Sequence, residues 1–292
     1  MFSVYRLLRF IKTYKNWTRV LTFYILRKTP INCNLRDGTR IKISCLNHIL
    51  YVSDGFRFSY EMNGAISFPF HNKKLVFYGT CENGAIGDVY LDSELDCLDV
   101  EGKTVIDIGA NIGDSSVYFA MMKAKKVLAI EPFPMTYNYL IKNISENNLG
   151  HIITPLNIAL AKTKGEVILS IEKYNSVGQR AKTVDRGLSI KTVTVDDILE
   201  CLNEEGIVLK IDCEGCEYDI FENIRSKTLR KVDEILIEYQ YGRKDLISLL
   251  RREGFMVKSI AKKGNKVGLV YGYKAGNRKS INVDERSRLD TK

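Results

Sequence analysis

The spacing of hydrophobic residues changes twice along the chain, and each change marks a region. Near the start, Val4, Leu7, Leu8, Phe10, Ile11, Tyr14 and Trp17 recur at helical spacing and cover about half of a helix circumference. Pro30 is expected to end that helix, because proline lacks an N–H and disfavours helix in the residue before it. From Cys33 to Asp99 the pattern becomes short alternating runs, such as 39–43 and 74–78. They are punctuated by Asp37-Gly38, Asp54-Gly55, Asn63-Gly64 and Asn83-Gly84. Asn-Gly and Asp-Gly between such runs are strong hairpin signals, so a small β-rich cap is expected.

From Lys103 onward apolar runs alternate with helical periods. Strands are expected at 104–108, 127–130, 152–158, 207–211 and 234–239, and helices at 115–122, 135–147, 195–202, 218–223 and 244–253, the last closed by Gly254. Residues 167–171 and 190–193 read as an inserted pair of strands. Residues 255–260 and 267–273, around Lys263-Gly264-Asn265, read as a terminal hairpin. The alternation predicts an α/β fold, a doubly wound and mostly parallel sheet with an antiparallel C-terminal hairpin. The expected segments are an amphipathic helix at 1–30, the cap at 31–100, a sheet domain at 101–274 and a polar, disordered tail at 275–292.

Composition adds little to this. With 292 residues and 45% hydrophobic content, one large α/β domain with a small extension can build a full core. No apolar run approaches the ~20 residues that span a bilayer. The longest early run, 20–26, is short and lacks a following cleavage signal, so a cytoplasmic location is expected. Charge changes the picture more. The net charge is +9, and Arg6, Arg9, Lys12, Lys15, Arg19, Arg27, Lys28 and Arg36 all precede the first acid, Asp37.

The first helix is therefore basic as well as amphipathic, suited to peripheral contact with an anionic inner membrane surface through residues 1–28. Packing of its apolar face on the chain's own domain, or on a second subunit, stays open. Nucleic acid is not expected, because the basic residues alternate with large aliphatics and do not cluster near exposed aromatics. Cys213-Glu214-Gly215-Cys216 has C-x-x-C spacing, but no second such pair exists. His48, His71 and His151 are not placed as its co-ligands, so neither a metal nor a redox role is expected. Cys33 and Cys45 could pair only where a cytoplasm tolerates disulfides.

The chemistry is concentrated in 105–114, VIDIGANIGD, followed by Glu131 in AIEP. An apolar strand ending in Asp107 and turning on Gly109 and Gly113 brings backbone N–H groups to a helix start, where they can approach a ligand. An acid closing the next strand is placed to grip a ribose diol. A dinucleotide turn would carry a second close glycine against the pyrophosphate, and Asn111 stands there instead. With Asp107 and Asp114 in the turn, the pocket suits a nucleoside without phosphate and with a cationic centre, a description that S-adenosylmethionine meets. Asp212, Glu214, Glu217 and Glu238 gather at the C-terminal ends of the central strands, as an acid cluster or as helix caps and supporting acids.

VIDIGANIGD, AIEPFP at 129–134 and LKIDCEGCEYDIF at 209–221 together resemble the FkbM family of class I S-adenosylmethionine-dependent methyltransferases, over roughly residues 85–273. The resemblance implies a seven-stranded Rossmann-like methyltransferase sheet with S-adenosyl-L-methionine as cofactor. It implies that Asp107, Gly109, Asn111 and Gly113 line the methionine part, that Glu131 holds the ribose, and that Phe133 lies against adenine with Asn157 and Ala159 at its edge. Asp212 would face the sulfonium, Glu214 would accept the proton, and Glu238 is a further candidate base. The implied activity is O-methylation of a glycan, glycolipid or secondary-metabolite hydroxyl. Two other readings are a nicotinamide-dependent oxidoreductase and a non-catalytic membrane-surface module that keeps a nucleoside pocket.

Overall fold

The computed structural model describes residues 4–81, 85–169, 187–213, 215–240, 246–263 and 267–274. The chain divides into two compact units, Met1–Ser93 and Glu94–Lys292, so the N-terminal helices and the β-rich segment belong to one unit. Asn83-Gly84, Glu214 and the tail at 275–292 lie outside the described residues.

The first unit contains α1 (Val4–Thr13), α2 (Trp17–Ile25), β1 (Ile31–Asn34), β2 (Arg40–Ile43), α3 (Leu46–Ser53), β3 (Ser59–Tyr60), β4 (Ile66–Phe70), β5 (Lys73–Phe77) and α4 (Ala85–Tyr90). The single N-terminal helix expected from periodicity is two helices, and the second ends well before Pro30. The break has a tertiary cause. Tyr14 pairs with Leu35 and donates its hydroxyl to Ile49 O at 2.6 Å, while Lys15 N bonds Asn34 O at 2.7 Å. The Asn16 side chain bonds both Asn32 O and Asn34 N, competing with helical hydrogen bonding. Phe10, Tyr14 and Val20 are buried with Ile31, Cys33, Ile43, Ile49 and Val52, so much of the helix's apolar face packs on its own unit. Asp37-Gly38 does turn the β1–β2 hairpin, and Asn63-Gly64 joins β3 to β4. Asp54-Gly55 instead follows helix α3.

The second unit runs β6 (Thr104–Ile108), α5 (Asp114–Met121), β7 (Lys126–Ile130), α6 (Pro134–Glu146), β8 (Ile153–Leu156), β9 (Ala159–Leu160), β10 (Gly165–Leu169), β11 (Leu188–Val193) and α7 (Val195–Cys201). It continues with β12 (Ile207–Ile211), α8 (Glu217–Asn223), α9 (Ser226–Leu229), β13 (Val232–Tyr239), α10 (Leu246–Arg252), β14 (Met256–Lys263) and β15 (Val267–Tyr273). Seven strands form one sheet in the order β14-β15-β13-β12-β6-β7-β8, parallel from β13 to β8 and antiparallel at β15 and β14. This is a Rossmann-like sheet with an antiparallel C-terminal hairpin.

Strands β6 and β12 are buried at every residue, as central parallel strands covered on both faces must be. The third strand expected at 152–158 stops at Leu156, and Ala159 belongs to a second sheet of order β10-β11-β9. The chain winds outward from β6 through β7 to β8 and then crosses back to β12. The strand order therefore reverses between β6 and β12, the position where such sheets bind ligands. Among the described residues no helix is long and apolar enough to cross a membrane.

Candidate functional site

At the end of β6 the chain turns through Gly109 at φ 76°, Asn111 at φ 52° and Gly113 at φ 93°, then enters α5. Gly109 is required by contact as well as by conformation, since a Cβ there would sit 1.8 Å from Asp212 O. The turn is clamped from the neighbouring strands. Gly109 N and Ala110 N both bond Ile130 O, Gly113 N bonds Ala110 O, and Asn111 N bonds Glu131 Oε2 at 2.9 Å. These four amides are spent inside the protein, so the expected approach of the turn's backbone to a ligand is corrected at these positions. A loop closed in this way offers a phosphate little.

Glu131, 5% exposed, uses its other oxygen to accept from Phe133 N at 2.9 Å. Asn157 Nδ2 in turn bonds Glu131 O and Pro132 O, which fixes the segment leading into α6. Phe133 packs beside Ala159, Ile190 and Val167. Glu131, Phe133, Asn157 and Ala159 thus form one continuous wall, although Asn157 and Ala159 lie beyond β8 and do not close it. Burial pushes the Glu131 carboxyl up to about 7, against the pull of the two amides it accepts from.

Asp107 is fully buried and accepts from Ser115 Oγ at 2.6 Å and Ser116 Oγ at 2.5 Å. Its counter-ion is Lys210, on the adjacent strand β12. Lys210 Nζ lies 3.1 Å from Asp107 Oδ1 and 3.9 Å from Asp212 Oδ2, and donates to Gly109 O at 2.9 Å. Burial alone would lower the Lys210 pKa, but Asp107, Asp212 and Asp114 outweigh it and hold the ammonium above its ordinary value. Lys210 was not among the residues singled out from sequence. The available signal was a lysine inside the apolar run IVLKI, where an unpaired charge would be prohibitively costly. Asp114, at the first turn of α5, is pushed up to about 7 by burial despite Lys210.

After β12, Asp212 is partly exposed, with a side-chain exposure of 37%. Glu217 opens α8 fully buried, and burial pushes it up to about 7 against the backbone amides of Glu217, Gly215 and Gln240. Glu238 is level with Asp212, because Ile211 pairs with Ile237 one step earlier. Its Oε1 lies 3.4 Å from Gln240 Nε2. Asp107, Gly109 and Asp212 are joined through Lys210, and Glu131 joins them through Asn111. Glu238 stands on the next strand.

Cys213 and Cys216, of which neither a metal nor a redox role was expected, are disulfide-bonded to each other. Gly215, at φ 117°, folds the loop back and brings the two Cα atoms to 5.5 Å. Cys33 and Cys45 are buried and not disulfide-bonded.

The methyltransferase FkbM domain, as a family model, matches residues 107–257. Methyltransferase sdnD of Sordaria araneosa is 26% identical over 171 residues, covering 46% of this chain and 65% of that protein. The chain therefore spans just under two thirds of that relative. Methyltransferase FkbM from Methylobacillus flagellatus KT superposes with a TM-score of 0.46 at 18% identity, over 64% of this chain and 48% of that one. TrmK of M. capricolum, in complex with S-adenosyl-homocysteine, gives a TM-score of 0.39 at 13% identity, over 68% of this chain and 74% of that one.

Proposed function

The chain belongs to the FkbM methyltransferase family, and from that premise we propose that it is an S-adenosylmethionine-dependent methyltransferase acting on a hydroxyl of a glycan, glycolipid or secondary metabolite. The observation that carries the cofactor is the donor inventory at the reversal of strand order. The amides of Gly109, Ala110, Asn111 and Gly113 are consumed internally, whereas Asp107, Asp114, Glu131 and Asp212 surround a single buried lysine, Lys210. Such a site repels a pyrophosphate and favours a cationic nucleoside, which disfavours the nicotinamide reading.

The turn from Asp107 to Asp114 would hold the amino-acid part of the cofactor, Glu131 the ribose, and Phe133, Asn157 and Ala159 the adenine side. When bound, S-adenosylmethionine supplies a methyl on a sulfonium, a good leaving group, so the protein's task is to align the acceptor and take its proton. Asp212 is assigned to the sulfonium side and Glu214 to the acceptor hydroxyl, with Glu238 as the competing base. Lys210 pairs with Asp107 and faces Asp212, offsetting the negative charge that the turn gathers. Transfer of label from methyl-labelled S-adenosylmethionine into fractionated cell extract tests this reading. Label in a hydroxyl-bearing small molecule or glycan fraction, dependent on Glu214 or Glu238, is expected. Absence of transfer into every fraction would leave the non-catalytic reading standing.

Membrane contact is proposed in a narrower form than the whole helical face. Val4, Tyr5, Leu8, Ile25 and Leu26 are the large apolar residues exposed on α1 and at the end of α2, with Arg27 and Lys28 exposed beside the latter two. Arg9 is already paired with Asp54 at 2.6 Å. These residues suit shallow insertion beside anionic headgroups at an inner membrane surface.

A further inference from the structure

The first unit carries a side-chain cluster that the methyl-transfer chemistry does not use. Cys45, His48 and Cys81 present two sulfurs and an imidazole whose donor atoms all lie within 4.8 Å of one another. They come from three separate backbone positions. Cys45 is the residue before α3, His48 lies in the first turn of α3, and Cys81 follows β5. Cys45 and His48 are buried and Cys81 is exposed, so the cluster is anchored in the unit but reachable from outside. Neither Cys45 nor Cys81 is engaged in a disulfide.

We propose that Cys45, His48 and Cys81 form a binding site for one zinc-class divalent ion. Two thiolates and an imidazole are the donor set that zinc prefers, and a C-x-x-H pair spanning a helix start is compatible with one ion. His48 is buried, which holds its ring in the unit's core within reach of both sulfurs. Its ring nitrogens are set between two hydroxyls, Tyr60 Oη at 2.8 Å from Nδ1 and Thr80 Oγ1 at 3.0 Å from Nε2.

In a metal-bound state one of these contacts remains as the outer hydrogen bond that orients a ligating histidine. The Tyr60 contact is suited to that role, because Tyr60 Oη also accepts from Ser44 N, next to Cys45. Thr80 precedes Cys81 directly, so its hydroxyl is the one that gives way to the ion. Binding displaces the thiol protons to solvent, and the ion ties the start of α3 to the segment after β5.

The full-length chain tests this by zinc content, by competition with a chromophoric chelator, and by cobalt substitution. About one zinc per chain is expected after reconstitution and removal of excess ion. Cobalt should give the visible bands of a tetrahedral site and a near-ultraviolet sulfur-to-cobalt charge-transfer band. Cys81→Ser, at an exposed position, should keep the circular-dichroism spectrum, weaken zinc binding at least about tenfold and reduce the charge-transfer band. Cys201→Ser, also exposed, should change none of these. Zinc below about 0.1 per chain in the folded wild-type protein would overturn the proposal, as would stoichiometric zinc undiminished in Cys81→Ser. A Cys45–Cys81 disulfide in the mass map of the purified protein would also overturn it.

Discussion

Glu131→Gln separates what this carboxylate does for the fold from what it does for the ligand. Both of its oxygens accept backbone N–H groups, from Asn111 and Phe133 at 2.9 Å each, yet burial still pushes the carboxyl up to about 7. A carboxyl harder to ionise in the fold than in the unfolded chain contributes stability at low pH. That contribution is lost as pH rises from the ordinary carboxylate range toward 7. Integrated between about pH 5 and pH 8, the loss is about 2–3 kcal/mol.

Gln keeps the size and one acceptor but cannot ionise, and its amide NH₂ opposes one of the two N–H donors at a cost of about 1 kcal/mol. Urea unfolding should therefore find the variant about as stable as wild type near pH 5 and about 2 kcal/mol more stable near pH 8. Calorimetry should find S-adenosylmethionine affinity reduced roughly ten- to a hundredfold near pH 8, because a charge-assisted contact is gone. Stability profiles that run parallel to within about 0.5 kcal/mol would refute the reasoning. Unchanged affinity would show that Glu131 serves the turn alone.

Lys210→Met should destabilise the second unit by about 3–5 kcal/mol near neutral pH, since it strands Asp107 without its counter-ion. Thermal melts of the variant beside wild type check the size of the loss. Glu214→Gln should lower turnover by roughly 10²–10⁴ with little change in cofactor affinity, whereas Asp212→Asn should harm both. A larger loss in Glu238→Gln than in Glu214→Gln, in the same steady-state assay, would move the base to β13. Changing Leu8, Ile25 and Leu26 to Ser together with Arg27 and Lys28 to Gln should abolish salt-sensitive sedimentation with anionic vesicles. Surface substitution is the cleaner test, because deleting 1–27 would remove Phe10, Tyr14 and Val20 from the unit's core.

The second unit was legible where burial leaves a continuous trace. The apolar runs of β6, β12 and β13 lie within two residues of their expected bounds, because strands covered on both faces tolerate little but aliphatics; of the C-terminal hairpin, β15 matches its bounds and β14 runs three residues past its expected end. What was not legible depends on distant partners. Helical periodicity runs through Tyr14, but Leu35 and Ile49 stop the helix there. The run at 152–158 reads as one strand, yet Asn157 turns to bond Glu131 and Pro132 while Ala159 joins another sheet. The motif located Asp107 and Glu131 as a pair around a ligand. Only the three-dimensional arrangement shows Lys210 between the acids and Glu131 occupied by the turn itself.

The central claim is that this turn is built for a cationic nucleoside and not for a dinucleotide. Isothermal titration of the full-length protein with S-adenosylmethionine and with NAD, at about pH 6 and pH 7.5 in buffers of different ionisation enthalpy, tests it most directly. Asp114 and Glu131 are both pushed up to about 7, so a cationic ligand must draw their protons off. The account predicts S-adenosylmethionine binding that tightens as pH rises, releases protons near pH 6, and has no counterpart for NAD. Preferential NAD binding, or S-adenosylmethionine binding with neither pH dependence nor proton release, would contradict it.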